Sequence, residues 1–428
     1  MIESVKSLLK LAFPIILGQL GQMLIGAGDV LVAGQFSTHA VAAIGVANGL
    51  VNPIFLFGLG LMFGISPFLA YHRGKGDLPQ SHVLTVLTYA FVVGIFVSLL
   101  TQFLLPLMGQ VDLDRQIVKS TREYIEVVLW SFPFAIMFQS LKEYLQSQEK
   151  VMLPNMIALL SVVLNIGLNF FFVFGFLGYE GMGEIGLAYA SLTIRVIMFG
   201  ILFGYMCITH EFGKLILPMI TKLFVFNLPV GFLFFIEVLA FCTVAVLSGR
   251  LGVTEAATNN IIMTLASISF MIPLSLSSAL SVKIGHHYGE KKILKVKKDI
   301  KSGIIVGVIY IFIAVSCFLV FPELLLSWMT KDLNVILLGS QLLMIVALFQ
   351  LSDVLQVILT GMLRGLGVTK LPFLLVFLGY WLIGIPSGIY FTFYAGVGVK
   401  GLWWGLAISL SIVAIALSIL TRYRYKRL

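Results

Sequence analysis

Charge is scarce in this chain: 19 acidic and 28 basic residues make up 11% of its 428 positions, where a soluble domain carries about 25%. With 59% hydrophobic residues it cannot cover a surface with polar groups, which excludes a water-soluble globule and makes lipid its solvent. Cysteine is nearly missing. Cys207, Cys242 and Cys317 each lie in an apolar run, so they read as small packing residues and imply no disulfide framework. There is no phosphate-binding Gly-Lys-Ser loop, no nucleophile elbow and no zinc spacing, so neither ATP-driven nor enzymatic chemistry is indicated and no cofactor is expected. The adjacent His286 and His287 do not share a helix face and are not a metal pair.

What is present is a series of apolar runs of spanning length. They fall at 13–33, 44–70, 84–108, 123–146, 152–177, 184–208, 223–249, 257–283, 302–321, 335–361, 371–394 and 398–421. Each of these is long enough for about 30 Å of hydrocarbon. They do not alternate in the manner of barrel strands. The fold class expected is an all-α integral membrane protein of twelve transmembrane helices. The first run lacks a small-residue cleavage site and reads as a retained helix rather than a signal peptide.

Twelve spans put both termini on one side. Placing the N-terminus in the cytoplasm collects 21 Lys and Arg residues there, including Lys142, Lys283, the Lys291–Lys301 run and Arg364, against 6 on the other side. That asymmetry follows the positive-inside rule and makes both termini cytoplasmic. It also accounts for the net charge of +9 without a nucleic-acid partner.

The two halves overlay. Phe13-Pro14 meets Leu228-Pro229, Gly74 meets Gly289 and Gly186-Leu187 meets Gly401-Leu402, all 215 residues apart. Leu145 meets Leu363 and Leu153-Pro154 meets Leu371-Pro372 at 218. An ordered series at nearly constant spacing is an internal repeat. Because each unit has six spans, both copies insert the same way round, giving parallel lobes over 1–213 and 214–428. A substrate cavity is expected where the lobes meet, and the repeat favours a carrier over a channel.

Three carboxylates fall inside spans: Asp29, Glu237 and Asp353. Each costs about 2.5–3.5 kcal/mol at a helix centre, which makes it a functional candidate. Gln22 shares a helix face with Asp29, and Gln356 and Thr360 share one with Asp353. Ser161, Asn165 and Asn169 form a polar stripe at i, i+4 and i+8 that faces other helices or water. Gln22, Gln356 and Thr360 are open to two readings, interhelical bonding or lining of the cavity. A buried carboxylate is neutralised by a proton or by a bound cation, and either couples transport to an ion gradient. On the repeat, Asp29 maps near Val244, Glu237 near Gln22 and Asp353 near Ala135, so the acids are not symmetry partners. Arg195, inside span 6, is open to three roles: pairing with a carboxylate, contact with substrate, or reach to the interface.

These residues resemble the multidrug and toxic compound extrusion (MATE) transporters, and the NorM-like branch in particular, over essentially the whole chain. The resemblance is carried by Phe13-Pro14, Gly28-Asp29, Gly58-Leu-Gly-Leu, Tyr71-His-Arg-Gly-Lys-Gly-Asp77, Leu164-Asn-Ile-Gly-Leu-Asn169, Gly183-Glu-Ile-Gly-Leu187, Phe235-Ile-Glu237, Ser352-Asp353 and Gly361-Met-Leu-Arg-Gly365. It implies a first-lobe cation site of Asp29 with Asn165 and Asn169, and a second-lobe site of Glu237 with Asp353. It implies Na⁺ or H⁺ as coupling ion, with Na⁺ at Glu237, Asp353 or Asp29. It further implies export of amphiphilic organic cations through a V-shaped cavity between the lobes, in a monomer of the bacterial inner membrane. Phe349, one turn before Asp353, stands where some NorM-like members have a polar aromatic, so both ions stay open.

Secondary active antiport by rocking of two lobes is therefore the expected function. The alternative is a flippase for a lipid-linked oligosaccharide or cell-wall precursor. That reading calls for a basic cavity, for which only Arg195 offers itself. A receptor or scaffold would need soluble extensions, and the loops here are short.

Overall fold

The computed structural model describes residues 1–78, 82–106, 114–176 and 178–428, less the side chain of residue 179. In lipid every backbone polar group must find its partner within the protein, and a helix satisfies them along its own length. In chain order the helices are α1 (Ile2–Phe36), α2 (Thr38–Gly60), α3 (Ile65–Lys75), α4 (Val83–Leu104), α5 (Arg115–Val128), α6 (Phe132–Ser147), α7 (Met152–Phe174) and α8 (Ile185–Thr209). They continue as α9 (Leu217–Gly249), α10 (Val253–Gly289), α11 (Ile293–Val320), α12 (Pro322–Ser327), α13 (Leu333–Gly365), α14 (Lys370–Phe377), α15 (Ile385–Ile389) and α16 (Val399–Arg427). A two-residue hairpin, β1 (Gly175–Phe176) with β2 (Tyr179–Glu180), joins α7 to α8.

Twelve helical segments among the described residues are long and apolar enough to cross a membrane, as the apolar runs predict. The helices extend beyond the runs, because the hydrocarbon limits the apolar stretch and not the helix. The first run starts at 13 while α1 starts at Ile2. The ninth starts at 302 while α11 starts at Ile293. Residues 107 and 108 of the third run lie outside the described residues. The second span, Thr38–Lys75, is broken between α2 and α3. There Gly64 lies against the Asn227 side chain and Tyr89 Oη donates to the Leu61 carbonyl at 3.1 Å. The eleventh span carries two π-helical stretches, Leu378–Gly384 and Tyr390–Tyr394.

The chain forms two compact units. One contains Pro14–Leu69 and Asp77–Gly231. The other contains Met1–Phe13, Ala70–Gly76 and Phe232–Leu428. In the first, α4 packs on α6, α7 on α8 and α6 on α8. In the second, α13 is the hub, packed on α10, α11 and α16. Large apolar side chains such as Phe103, Val163, Phe312 and Ile415 point outward, as expected where lipid is the solvent.

Backbone geometry repeats with the sequence. Left-handed residues recur as Gly76 and Lys291, as Glu149 and Gly367, and as Gly183 and Gly398, at the offsets of 215 and 218 found in the sequence. Within the second unit, Gly74 of α3 and Gly289 of α10 form a reciprocal crossing. A Cβ on Gly74 would strike the His286 carbonyl oxygen, and one on Gly289 would strike that of Tyr71. The two equivalent glycines thus let two backbones touch.

Three of the basic residues assigned to the cytoplasmic face are not solvated. Lys142, Lys283 and Arg364 are 1%, 6% and 4% exposed. A charge near a helix end that is packed against other helices needs partners. Lys283 finds Ser7 Oγ at 3.0 Å and Asp299 at 3.6 Å, while His287 Nδ1 and Ser4 Oγ bond the same Asp299 at 2.6 and 2.9 Å.

Candidate cation-binding sites

In the unit built on Pro14–Leu69 and Asp77–Gly231, the site starts from how closely α7 approaches α1. A Cβ at Gly18 would enter the Asn155 side chain, and one at Gly21 would stand 2.8 Å from the Leu159 Cα. Small residues on one stripe let the helices meet without intervening side chains. Higher on α1, Gly28 faces Ile166 and Asn165. That contact brings Asp29, 6% exposed, onto the polar stripe of α7. Asn169 Nδ2 donates to Asp29 Oδ1 at 2.7 Å and to Asn165 Oδ1 at 3.3 Å. The three residues grouped from sequence are therefore together.

Two further residues complete this site. Ser191 Oγ donates to Asp29 Oδ2 at 2.9 Å. Its signal was faint, a single serine in the apolar helix α8, one turn before Arg195. Tyr124 is buried within electrostatic reach of both Asp29 and Arg195. Arg195 itself donates to Ser131 Oγ at 2.6 Å and lies over the rings of Phe55 and Phe132, 4.8 and 5.8 Å from their centroids. It faces Asp29 as a nearby charge rather than as a bonded partner.

The second site lies in the unit containing Phe232–Leu428. Gln356 Nε2 of α13 donates to Glu237 Oε1 of α9 at 2.5 Å, and Asp353 lies within electrostatic reach of Glu237. Glu237 and Asp353 are 7% and 4% exposed. Gln356 Oε1 and Thr360 Oγ1 are buried oxygens with no hydrogen-bond partner among the described residues. Tyr380, on the π-helical stretch Leu378–Gly384, is buried within reach of both acids, and sequence reasoning missed it. Phe349 packs edge-on against Trp403 and Phe241, with Tyr380 completing an aromatic wall.

The two sites differ chemically. Asp29 meets donors on both oxygens and has Arg195 near it. Glu237 and Asp353 are like charges, and no basic group stands among their electrostatic neighbours in the described residues. Unpaired oxygens beside paired carboxylates form the kind of donor set that holds a hard monovalent cation, or a proton. Gln22 does not join Asp29. Its Nε2 donates to Gln139 Oε1 at 3.4 Å.

Two carboxylates besides these three are also buried in the protein. Glu143 on α6 is 1% exposed, and Asp299 on α11 is 3% exposed. Both lie near helix ends, where sequence alone reads a charge as interfacial.

A bundle of twelve membrane-spanning helices with buried acids in each of two units defines a multi-pass membrane protein of the transporter type. The MatE family model matches residues 14–171 and 229–390, one copy per half, and the chain belongs to that family. It is 30% identical to the multidrug resistance protein NorM of Vibrio parahaemolyticus over 99% of this chain and 96% of that one. It is 27% identical to the multidrug resistance protein MdtK of Photorhabdus laumondii over 97% and 94%. Its fold is that of a eukaryotic MATE transporter, AtDTX14, with a TM-score of 0.88 at 20% identity over 100% and 99% of the two chains. The Vibrio cholerae MATE transporter VcmN superposes with a TM-score of 0.90 at 17% identity over 100% and 98%.

Proposed function

We propose that this protein is a secondary active exporter of amphiphilic organic cations and drugs, an antiporter driven by an inward flow of Na⁺ or H⁺. The observation that carries the reading is the buried Glu237–Asp353 pair. Two carboxylates held out of water with no basic partner among the described residues are strongly disfavoured unless a cation neutralises them. Asp29, bonded by Asn169 and Ser191, is the second coupling acid. Membership of the MatE family and the multidrug resistance names of the relatives support drugs as the substrate class.

The coupling ion binds from outside and favours substrate release. On the inner side it leaves, and the freed carboxylates attract the next cationic substrate. Each inward elementary charge supplies about 2.3 kcal/mol per 100 mV. The protein works as a monomer in the bacterial inner membrane with both termini in the cytoplasm, and needs no cofactor beyond Na⁺ or H⁺. A flippase would use Arg195 for phosphate, but that guanidinium is engaged by Ser131 and two phenylalanine rings. The test is a proteoliposome flux assay with a fluorescent organic cation, imposing Na⁺ and pH gradients separately. Efflux driven by one of them is expected, and flux indifferent to both would refute antiport.

A further inference from the structure

The outward faces of α11 and α16, both in the unit containing Phe232–Leu428, end alike. On α11 the exposed Ile305, Val308 and Phe312 follow one stripe. The same spacing of three and four carries it back through the exposed Lys301 and Lys298 to Leu294, which is 78% exposed. On α16 the exposed Ile412, Ile415 and Ile419 form an outward stripe that runs on into Arg422 and Lys426, also exposed. An outward apolar stripe on a membrane-spanning helix faces lipid. The basic residues at its end therefore stand at the rim of the lipid and not inside the protein. The apolar run of α11 starts at 302, so Lys301 and Lys298 lie about 2–6 Å along the helix beyond the hydrocarbon, at headgroup depth.

The two ends meet. Lys297 Nζ of α11 lies 5.3 Å from the centroid of the Tyr425 ring of α16, and the Arg427 guanidinium lies 4.2 Å from that of Tyr423. The acids in these two segments do not neutralise the patch. Glu290 is paired with Lys292 at 2.8 Å, while Asp299 is buried and bonded by His287 and Ser4. The first turn of α11 holds no acid, so lysines crowd the positive end of a helix dipole, an arrangement that an external anion relieves.

The repeat shows that membrane topology does not call for these charges. Six lysines fall between 291 and 301, and four basic residues between 422 and 427. At the offset of 215 their counterparts are 76–86 and 207–212, and neither stretch contains a Lys or Arg. The gap is wide, since no Lys or Arg occurs between Lys75 and Arg115. Lys291 even adopts a left-handed backbone, φ 58°, where the first copy has Gly76.

We propose that the basic ends of α11 and α16 form a docking surface for the headgroup of an anionic phospholipid, whose acyl chains lie along the outward stripes of the two helices. Lysine and arginine donate charge-assisted hydrogen bonds to the phosphodiester oxygens, and Leu294 and the isoleucines meet the chains. Each basic group near the surface adds to the attraction, and salt weakens it. This surface is separate from the buried acids and does not depend on the antiport reading.

The experiment is native mass spectrometry of the full chain in detergent, titrated with phosphatidylglycerol and, separately, with phosphatidylcholine. The wild type is expected to bind phosphatidylglycerol about tenfold or more tightly than phosphatidylcholine, with the preference falling as ammonium acetate is raised. Combining Lys298→Gln, Lys301→Gln and Arg422→Gln should bring the two affinities within about twofold. Combining Lys298→Arg, Lys301→Arg and Arg422→Lys should keep the preference. No preference in the wild type, or one that the neutral triple variant retains, overturns the proposal. Displacement of the lipid by glycerol 1-phosphate at equal concentration marks a site for soluble anions and overturns it as well. Should the neutral triple variant fail to fold, Leu294→Gln and Lys426→Gln, both at exposed positions, take its place. Weakened phosphatidylglycerol binding in them supports the surface, and wild-type affinity in both overturns it.

Discussion

Asn169 Nδ2 and Asp29 Oδ1 stand 2.7 Å apart although 140 residues separate them in the chain. That bond joins α7 to α1 at the depth where Ser191 of α8 reaches the other carboxylate oxygen. Three helices therefore converge on one ionisable group, and its replacement should be felt in transport before it is felt in stability.

Asp29→Asn keeps the shape and removes the charge. Gradient-driven efflux in vesicles is expected to fall about tenfold or more, a loss of at least about 1.4 kcal/mol in the driving interaction. Ser191→Ala, which removes one charge-assisted bond, should give a smaller loss in the same assay. Wild-type rates in Asp29→Asn would end the case for this site.

At the other site, Glu237→Gln and Asp353→Asn each relieve the like-charge pair. Each should abolish or strongly weaken ion-stimulated release of a bound fluorescent cation, with the fold retained. Gln356→Leu leaves both acids and removes the donor to Glu237 together with one neutral oxygen, so its defect should be milder. A Gln356→Leu defect exceeding that of both acid variants would contradict the assignment.

The α1–α7 approach depends on Gly18 and Gly21. Gly18→Leu forces a side chain into Asn155, an overpacking that costs about 1–3 kcal/mol. A lower thermal unfolding midpoint in detergent is expected, together with weakened transport as Asp29 is drawn away from Asn169. An unchanged midpoint would show that the helices tolerate separation.

Asp299 joins Lys283, His287, Ser4 and Ser7 in one cluster, in which Asp299 and Lys283 are buried. Asp299→Ala leaves the Lys283 ammonium buried and unpaired, which costs about 3–5 kcal/mol. Lys283→Met combined with Asp299→Leu should recover most of that loss in a thermal unfolding assay. A double variant no more stable than Asp299→Ala would argue against an ion pair.

His210 follows directly after α8, and burial followed by the charge of Lys150 holds its imidazole below the ordinary value. A base with a lowered folded-state value is bound to fewer protons folded than unfolded. Its contribution to stability is present above the unfolded value of about 6.5 and is lost as the pH falls toward the lower folded one. Unfolding midpoints measured near pH 7.5 and below pH 6 should differ less in His210→Asn than in the wild type. Identical pH dependence in the two would discount the effect.

The twelve spans were legible because a membrane imposes length and apolarity, and both are written in composition. Asp29, Asn165 and Asn169 were legible because an acid and a four-residue polar spacing stand out against apolar surroundings. Ser191, Tyr124 and Tyr380 were not. Serine and tyrosine are common in apolar helices, and only tertiary contact brings these ones to the buried acids. Gln22 was misleading for the same reason, since its shared face with Asp29 is real but its side chain turns to Gln139. Lys142, Lys283 and Arg364 read as surface charges because positive-inside counting has no means of measuring packing.

Splitting the chain midway between its two copies, at 213 and 214, would not yield two self-sufficient fragments. The later fragment would lack Met1–Phe13 and Ala70–Gly76, which complete its compact unit. It would also keep Leu217–Gly231, which complete the other. Each half supplies parts that the other needs to finish folding, so fragment complementation should succeed only when both are synthesised together. An ancestral duplication followed by such an exchange of segments would bind the copies into a single inheritable piece.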